Sequence, residues 1–233
     1  AHLIQGVAIP DQQARLLPVV AAAERLFAVA ITEPDYGWGA SAVSMRGAID
    51  GDSVVMSGTK MFVPYAEVAD DLLVLVRTGD GAAPEQGLTL VKVERGATGI
   101  TVRRHQGWFG EPVCQVTFAD VRADVIGGPG QAWPGVETAL DKAVVLLSAF
   151  MLGGTQAALD MSVEYSKTRM AFGQPIGTFQ RVQDLIIKAL NDADAIRWTT
   201  YEALWKLDEG REDGPLAASM AKAVASEGFD RAC

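Results

Sequence analysis

The stretch Arg169-Met170-Ala171-Phe172-Gly173-Gln174-Pro175-Ile176-Gly177-Thr178-Phe179-Gln180 gathers the residues of this sequence best suited to hold a ligand. An apolar helical pattern ends there, Gly173, Pro175 and Gly177 interrupt it, and a second helical pattern starts near Phe179. The break brings one cation, two aromatics and two amides close together. Arg169 is a guanidinium near a helix end, suited to an anion, while Phe172 and Gln180 offer packing and directional hydrogen bonds to a planar group. The same residues also make an ordinary helix–helix corner with a solvated arginine, and spacing alone leaves both readings open. A second cluster, Gly127-Gly128-Pro129-Gly130, could approach a phosphate but reads first as a connecting loop. Histidines occur only at His2 and His105, with no Cys/His cluster, so no metal site is expected.

Several elements must position these residues. From Pro10 to Glu24 the apolar residues suggest a short helix that Pro18 interrupts before a strand begins. Between Phe27 and Phe118 the pattern changes to short β-rich runs at 27–31, 45–49, 54–56, 61–63, 72–76, 88–93, 100–104 and 113–118. Asp50-Gly51 is a hairpin signal, and Ser57-Gly58 and Gly79-Asp80-Gly81 read as further separators. Tight turns at such intervals predict an antiparallel sandwich or barrel, and no G-x-G-x-x-G follows a strand, which disfavours a doubly wound nucleotide fold. Residues 120–133 read as an irregular linker. From Gly135 onward the periodicity is helical: an almost wholly apolar helix over 139–156, a striped one from Val182 that Gly210 stops, and a third after Pro215. The fold class is therefore α+β, with a sandwich or barrel followed by a helical bundle, divided at 1–26, 27–134 and 135–233.

Composition narrows the function. With 233 residues, 49% hydrophobic and 21% charged, the chain can bury a sizeable core. A formal charge of −9 supplies no basic stripe, so a nucleic-acid partner is not expected. Cys114 and Cys233 lie far apart, and Cys114 alternates into an apolar strand, which points to a reduced, cytoplasmic chain. No run of about 18 apolar residues stands out, so no membrane span is expected, and the first residues lack the basic and apolar parts of a leader. A start at Ala1 and an end at Cys233 inside a helical pattern read as part of a longer protein.

Ordered along the chain, Ala30-Ile31-Thr32-Glu33-Pro34, Ser57-Gly58-Thr59-Lys60-Met61-Phe62-Val63, Gly110-Glu111-Pro112, Phe118-Ala119-Asp120-Val121-Arg122 and the Arg169–Gln180 stretch with Val182-Gln183 resemble the acyl-CoA dehydrogenase family. The resemblance implies a flavoprotein with an N-terminal helical part, a middle β domain and a C-terminal bundle, of which this chain holds the end of the first, all of the second and about half of the third. It implies α,β-desaturation of an acyl-CoA thioester, with FAD as hydride acceptor, an electron-accepting flavoprotein as partner, and a homo- or heterotetramer. Residue by residue, Ile31 and Thr32 match positions that hydrogen-bond the flavin, Gly37 keeps a glycine of the turn beside it, and Phe62 and Val63 match the strand against the isoalloxazine. Arg169, Phe172 and Gln180 match the set that binds the ADP half of the neighbouring subunit's FAD. Asp141 matches a position near the pantetheine arm, and is equally readable as an exposed helix charge.

The departures are specific. Trp38 replaces a serine that touches cofactor and substrate, Pro64 replaces a threonine at the flavin edge and offers neither N–H nor hydroxyl, and Val144 stands at a position commonly arginine. Removal of the α-proton requires a base within hydrogen-bond reach. One family position for that glutamate lies past Cys233, and the other is Ala143, which cannot take a proton. Glu33, Glu111 and Glu164 are the remaining carboxylates to consider. Two functions follow: a catalytic dehydrogenase, or a diverged, non-catalytic subunit of a heteromeric member that lends Arg169, Phe172 and Gln180 to a partner chain's FAD. A plain scaffold is the third reading.

Overall fold

Apolar runs between Phe27 and Ile126 build a seven-stranded sheet in the computed structural model of the chain, which describes residues 1–106, 110 and 112–233. The strands are β1 (Phe27–Ala30), β2 (Gly47–Asp50), β3 (Ser53–Pro64), β4 (Asp71–Arg77), β5 (Leu88–Glu94), β6 (Ile100–Gln106) and β7 (Pro112–Ile126). Their order is β1-β4-β5-β7-β3-β2, with β6 also on β7. The chain divides into two compact units, Ala1–Glu137 and Thr138–Cys233.

β7 explains how one sheet encloses a core. Residues 112–118 pair with β6, residues 124–126 pair with β5, and β3 runs along both halves. The strand bends at Asp120, whose φ is +51°, opposite the irregularity between Met56 and Gly58. Ser57 clamps the bend: its hydroxyl donates to Asp120 Oδ1 at 2.9 Å and accepts from Asp120 N–H at 2.8 Å. Inside lie Val54, Met56, Leu72, Val74, Val91, Cys114, Val116 and Phe118. β4 is buried from Asp71 to Val76, as an almost unbroken apolar strand should be when both faces are covered.

Four expectations are corrected. Ser57-Gly58 is no turn, because the runs at 54–56 and 61–63 belong to the single strand β3. The supposed linker from 120 starts as strand, since β7 continues to Ile126 with Val121 and Ala123 facing inward. β1 pairs with β4 in parallel, so the sheet is not wholly antiparallel. α2 (Pro10–Ala21), which follows α1 (His2–Val7), runs through Pro18 on an exposed face where the lost N–H leaves only a surface carbonyl unpaired. Gln12 ties α2 to the end of β7, donating to Val125 C=O and accepting from Gly127 N–H, both at 2.8 Å.

The second unit is helical. α3 spans Trp133–Thr168, a two-residue ribbon of β8 (Met170–Ala171) and β9 (Gln174–Pro175) follows, and α4 (Gln180–Asp208) and α5 (Gly214–Ala232) complete it. α3 is twice the length that its apolar pattern predicts, because the helix also takes in 133–138 before that pattern and 157–168 after it. It is long and apolar enough to cross a membrane by length and composition, which the sequence reading missed. Here one of its faces packs into the bundle: Val145 meets Ala203, Ala217, Ala218 and Ala221, and Met151 meets Ile196 and Ala225. The small residues of α5 allow close approach. A Cβ on Gly154 would lie 2.5 Å from the Phe229 ring.

Candidate functional site

The segment that leaves β1 is fixed from behind by an enclosed ion pair. Lys60, fully buried on β3, donates to Glu33 Oε1 at 2.8 Å and to Ile31 C=O at 3.0 Å. The Glu33 carboxylate, 6% exposed, also accepts from Ser44 N–H, Ser44 Oγ–H and Met45 N–H. Burial alone would raise the Glu33 pKa, but the hydrogen bonds from Lys60 and Ser44, the Lys60 charge and the Met45 amide together hold it below the ordinary carboxylate value. Burial pushes the Lys60 ammonium below the ordinary lysine value against the pull of Glu33. Four donors thus converge on one carboxylate.

This network sets main chain and aromatics together. A bulge in β3 between Lys60 and Val63 takes Met61 out of the ladder, and its N–H bonds Thr32 C=O at 2.8 Å. Thus Ile31 and Thr32 are joined to the strand that carries Phe62. Tyr36 N–H bonds Glu33 C=O at 3.0 Å, and the Tyr36 and Phe62 rings lie 5.5 Å apart. Tyr36, Phe62 and Tyr65 all have φ between +51° and +55°, a conformation that costs bulky residues energy and is sustained only by surrounding contacts. Gly37 is exposed, and Trp38 is 92% exposed. Arg77 steadies the chain beyond, donating to Ala40 C=O and Val43 C=O at 3.0 Å. The Val63 side chain lies in the core, so only its main chain can meet a ligand. Pro64 ends β3 opposite Val113.

In the second unit, the Arg169–Gln180 corner is a tight ribbon. Met170 pairs with Pro175 and Ala171 with Gln174, which leaves Phe172-Gly173 as a two-residue turn with φ of +52° and +81°. Two successive positive φ values define a type I′ turn, and Gly173 supplies the second without strain. The turn holds Phe172 95% exposed, its ring edge-on to Phe179 at 6.0 Å. Arg169 C=O accepts from Ile176 N–H at 2.9 Å, which closes the ribbon against the end of α3. Among the described residues no carboxylate pairs with the Arg169 guanidinium. Gln180 is exposed in the first turn of α4, and Gln183 Nε2 donates to Gly177 C=O at 2.8 Å.

The remaining residues separate into committed and accessible groups. Glu33 is consumed by the ion pair, Glu164 pairs with Lys167 at 2.6 Å on the surface, and Glu111 lies outside the described residues. Asp141 is half-buried on α3, Ala143 is exposed and Val144 half-buried. The glycine loop is a connection: Gly130 N–H bonds Thr89 Oγ1 at 2.7 Å, and Gly127 N–H is taken by Gln12. Sequence reasoning missed Lys60, Ser44 and Tyr36. A signal existed for Lys60, which falls on the inward parity of β3 after Val54 and Met56, where a charge requires a buried partner.

Comparisons with known proteins bear on this arrangement. A model described as the acyl-CoA dehydrogenase middle domain matches residues 28–121, and one described as the acyl-CoA dehydrogenase C-terminal domain matches residues 130–233. The glutaryl-CoA dehydrogenase of Desulfococcus multivorans is 31% identical over 223 residues, covering 93% of this chain and 57% of that protein. A solved glutaryl-coenzyme A dehydrogenase in complex with glutaryl-CoA superposes with a TM-score of 0.90 at 30% identity, over 99% of this chain and 60% of that one. PigA, solved with FAD and proline, gives a TM-score of 0.90 at 25% identity, over 100% of this chain and 63% of that one. The chain thus spans about three-fifths of the length of the relatives it matches.

Proposed function

This chain belongs to the acyl-CoA dehydrogenase family, and on that premise we propose that it is the middle and partial C-terminal part of an FAD-dependent enzyme that desaturates an acyl-CoA thioester between its α and β carbons. The observation that carries this reading is the Ile31–Thr32 main chain bonded to the bulge that presents Phe62, a rigid polar edge beside an exposed aromatic face. These residues fit a flavin ring, and on the second unit's ribbon the Arg169 guanidinium fits a pyrophosphate and the exposed Phe172 ring an adenine. When bound, FAD supplies the acceptor for the hydride that leaves the β carbon.

Each side chain has a part in that scheme. Thr32 offers its hydroxyl and N–H to the ring edge, Phe62 packs on the ring, and Gly37 keeps the turn beside it narrow. Trp38 closes the space toward the acyl group. Asp141 is assigned to the pantetheine arm by its family position, while Arg169, Phe172 and Gln180 bind the ADP half of a cofactor held mainly by a neighbouring subunit. This sharing calls for a homo- or heterotetramer. An electron-accepting flavoprotein then reoxidises the enzyme, in a reducing compartment such as the cytoplasm.

A second reading is favoured by one observation. Among the described candidates, Glu33 lies in the enclosed pair, Glu164 is bonded to Lys167, and Ala143 offers only a methyl. On this reading the chain is a non-catalytic subunit that completes a partner's FAD site. The full-length protein purified alone tests both. A yellow protein whose flavin is bleached by an acyl-CoA supports the enzyme; a colourless one that turns yellow only when copurified with a second chain supports the subunit. Arg169→Ala should lose at least about tenfold in FAD affinity with unchanged thermal stability, and unchanged flavin content would return the corner to a plain helix junction.

A further inference from the structure

The Lys60–Glu33 pair occupies a place where a hydrophobic side chain would fill the core more simply. Val54, Met56 and Val63 hold the neighbouring inward positions of β3, and methionine at 60 would continue that series. Replacing a buried ion pair by apolar groups of similar size is often neutral or stabilising, so stability alone does not account for this one. What the pair does contribute is connection. Through Lys60 it holds Ile31 C=O, and through Glu33 it holds the amides of Ser44 and Met45. One residue further along each segment, Met61 N–H holds Thr32 C=O, and Phe62 and Tyr36 stand in positive-φ conformations within two residues of Lys60 and three of Glu33 respectively.

We infer that Lys60 and Glu33 are positioning residues: the enclosed pair locks the segment after β1 onto the β3 bulge, and so pre-shapes the polar edge and aromatic face that receive the isoalloxazine. The inference rests on the flavin reading for the identity of the ligand, and on the geometry above for the lock itself. Neither residue touches the reacting atoms. Their effect passes through Thr32, which the bulge holds by its carbonyl, and through Phe62 and Tyr36, whose positive-φ conformations are costly in isolation and need an external clamp.

The test is a double variant, Lys60→Met with Glu33→Gln, which removes the charges together and leaves no unpaired ion buried. Hydrogen exchange on the full-length protein without flavin gives the first readout. Peptides covering 31–38 and 60–65 should exchange about tenfold or more faster than in the wild type, while those covering β4 and β5 keep their protection. FAD titration gives the second: affinity should fall about tenfold or more, and the visible band of the flavin that does bind should lose its vibrational structure. Asp71→Asn, a change at a buried carboxylate elsewhere in the sheet, should alter neither readout. Wild-type exchange in both peptides of the double variant would overturn the inference, as would accelerated exchange throughout β4 and β5, which would mean a general loosening. A wild-type protein that binds no FAD would sink the flavin reading, and the exchange result would still decide the lock.

Discussion

The two ends of β1 each carry a buried carboxylate, and they are built differently. At the start of the strand, Asp71 of β4 lies opposite Phe27 and is 1% exposed; just past its end lies Glu33. Asp71 is met by Arg25 at 2.7 Å and Lys92 at 3.5 Å, whose side chains are 41% and 21% exposed, whereas Glu33 is met by a lysine with no exposure at all. Cations that reach in from solvent keep much of their hydration while their stems cover apolar surface. An enclosed lysine loses all of it, and only the full set of donors on Glu33 offsets that loss. The backbone differs in parallel: the Asp71 end is regular ladder, with Asp71 N–H on Leu26 C=O, while the Glu33 end holds Tyr36 and Phe62 at positive φ. The costly construction coincides with the unusual conformations, which is what a fixed receptor surface requires and an ordinary strand end does not.

Breaking the enclosed pair from one side should have the largest effect. Lys60→Met leaves the Glu33 carboxylate buried without a counter-charge, held only by the Ser44 and Met45 donors, and should lower stability by about 3–5 kcal/mol. The midpoint of chemical denaturation should fall with an unchanged slope; a shift no larger than that of a surface change would mean that water reaches Glu33 and that the contrast between the two ends is false. Asp71→Asn should cost less, about 1–2 kcal/mol, because the amide still accepts a hydrogen bond from Arg25 and both cations can turn to solvent. Equal losses in the two variants would erase the distinction.

The sequence exposed one end of β1 better than the other, for physical reasons. The Ile31-Thr32-Glu33-Pro34 and Ser57-Gly58-Thr59-Lys60 motifs drew attention to the right segments, yet the hydrophobic pattern split β3 in two, since Gly58, Thr59 and Lys60 interrupt an apolar run. A lysine on the inward parity defeats a reading by hydropathy even though it sits in the core. The second half of β7 escaped in the same way: Val121, Ala123 and Val125 alternate with Arg122 and Asp124, but alanine and aspartate make a weak strand signal. The positive φ values of Tyr36, Phe62 and Phe172 could not be read at all, because local preference opposes them and only tertiary contacts impose them. Nor could the parallel pairing of β1 with β4, whose forty intervening residues carry no local mark of it. The corner was legible as a break because Gly173, Pro175 and Gly177 are local signals, and α4 starts at Gln180 beside them.

Acid separates the two ends more gently. Glu33 has its pKa held below the unfolded value, so the stability it contributes is fully present above about pH 4.5 and is lost as pH falls through its lower folded value. The double variant Lys60→Met with Glu33→Gln has no such group, and its melting temperature should decline less steeply than that of the wild type across that acidic range; parallel declines would show that Glu33 is not ionised in the fold. The smallest effect is expected from Arg25→Ala. Its side chain is 41% exposed, and Lys92 remains to face Asp71, so the melting temperature should move little at neutral pH and become still less sensitive at high salt. A large loss on removing Arg25 would mean that Asp71 depends on one partner as strictly as Glu33 depends on Lys60. In that case exposure of the cation would no longer explain why only one end of the strand sustains a strained surface.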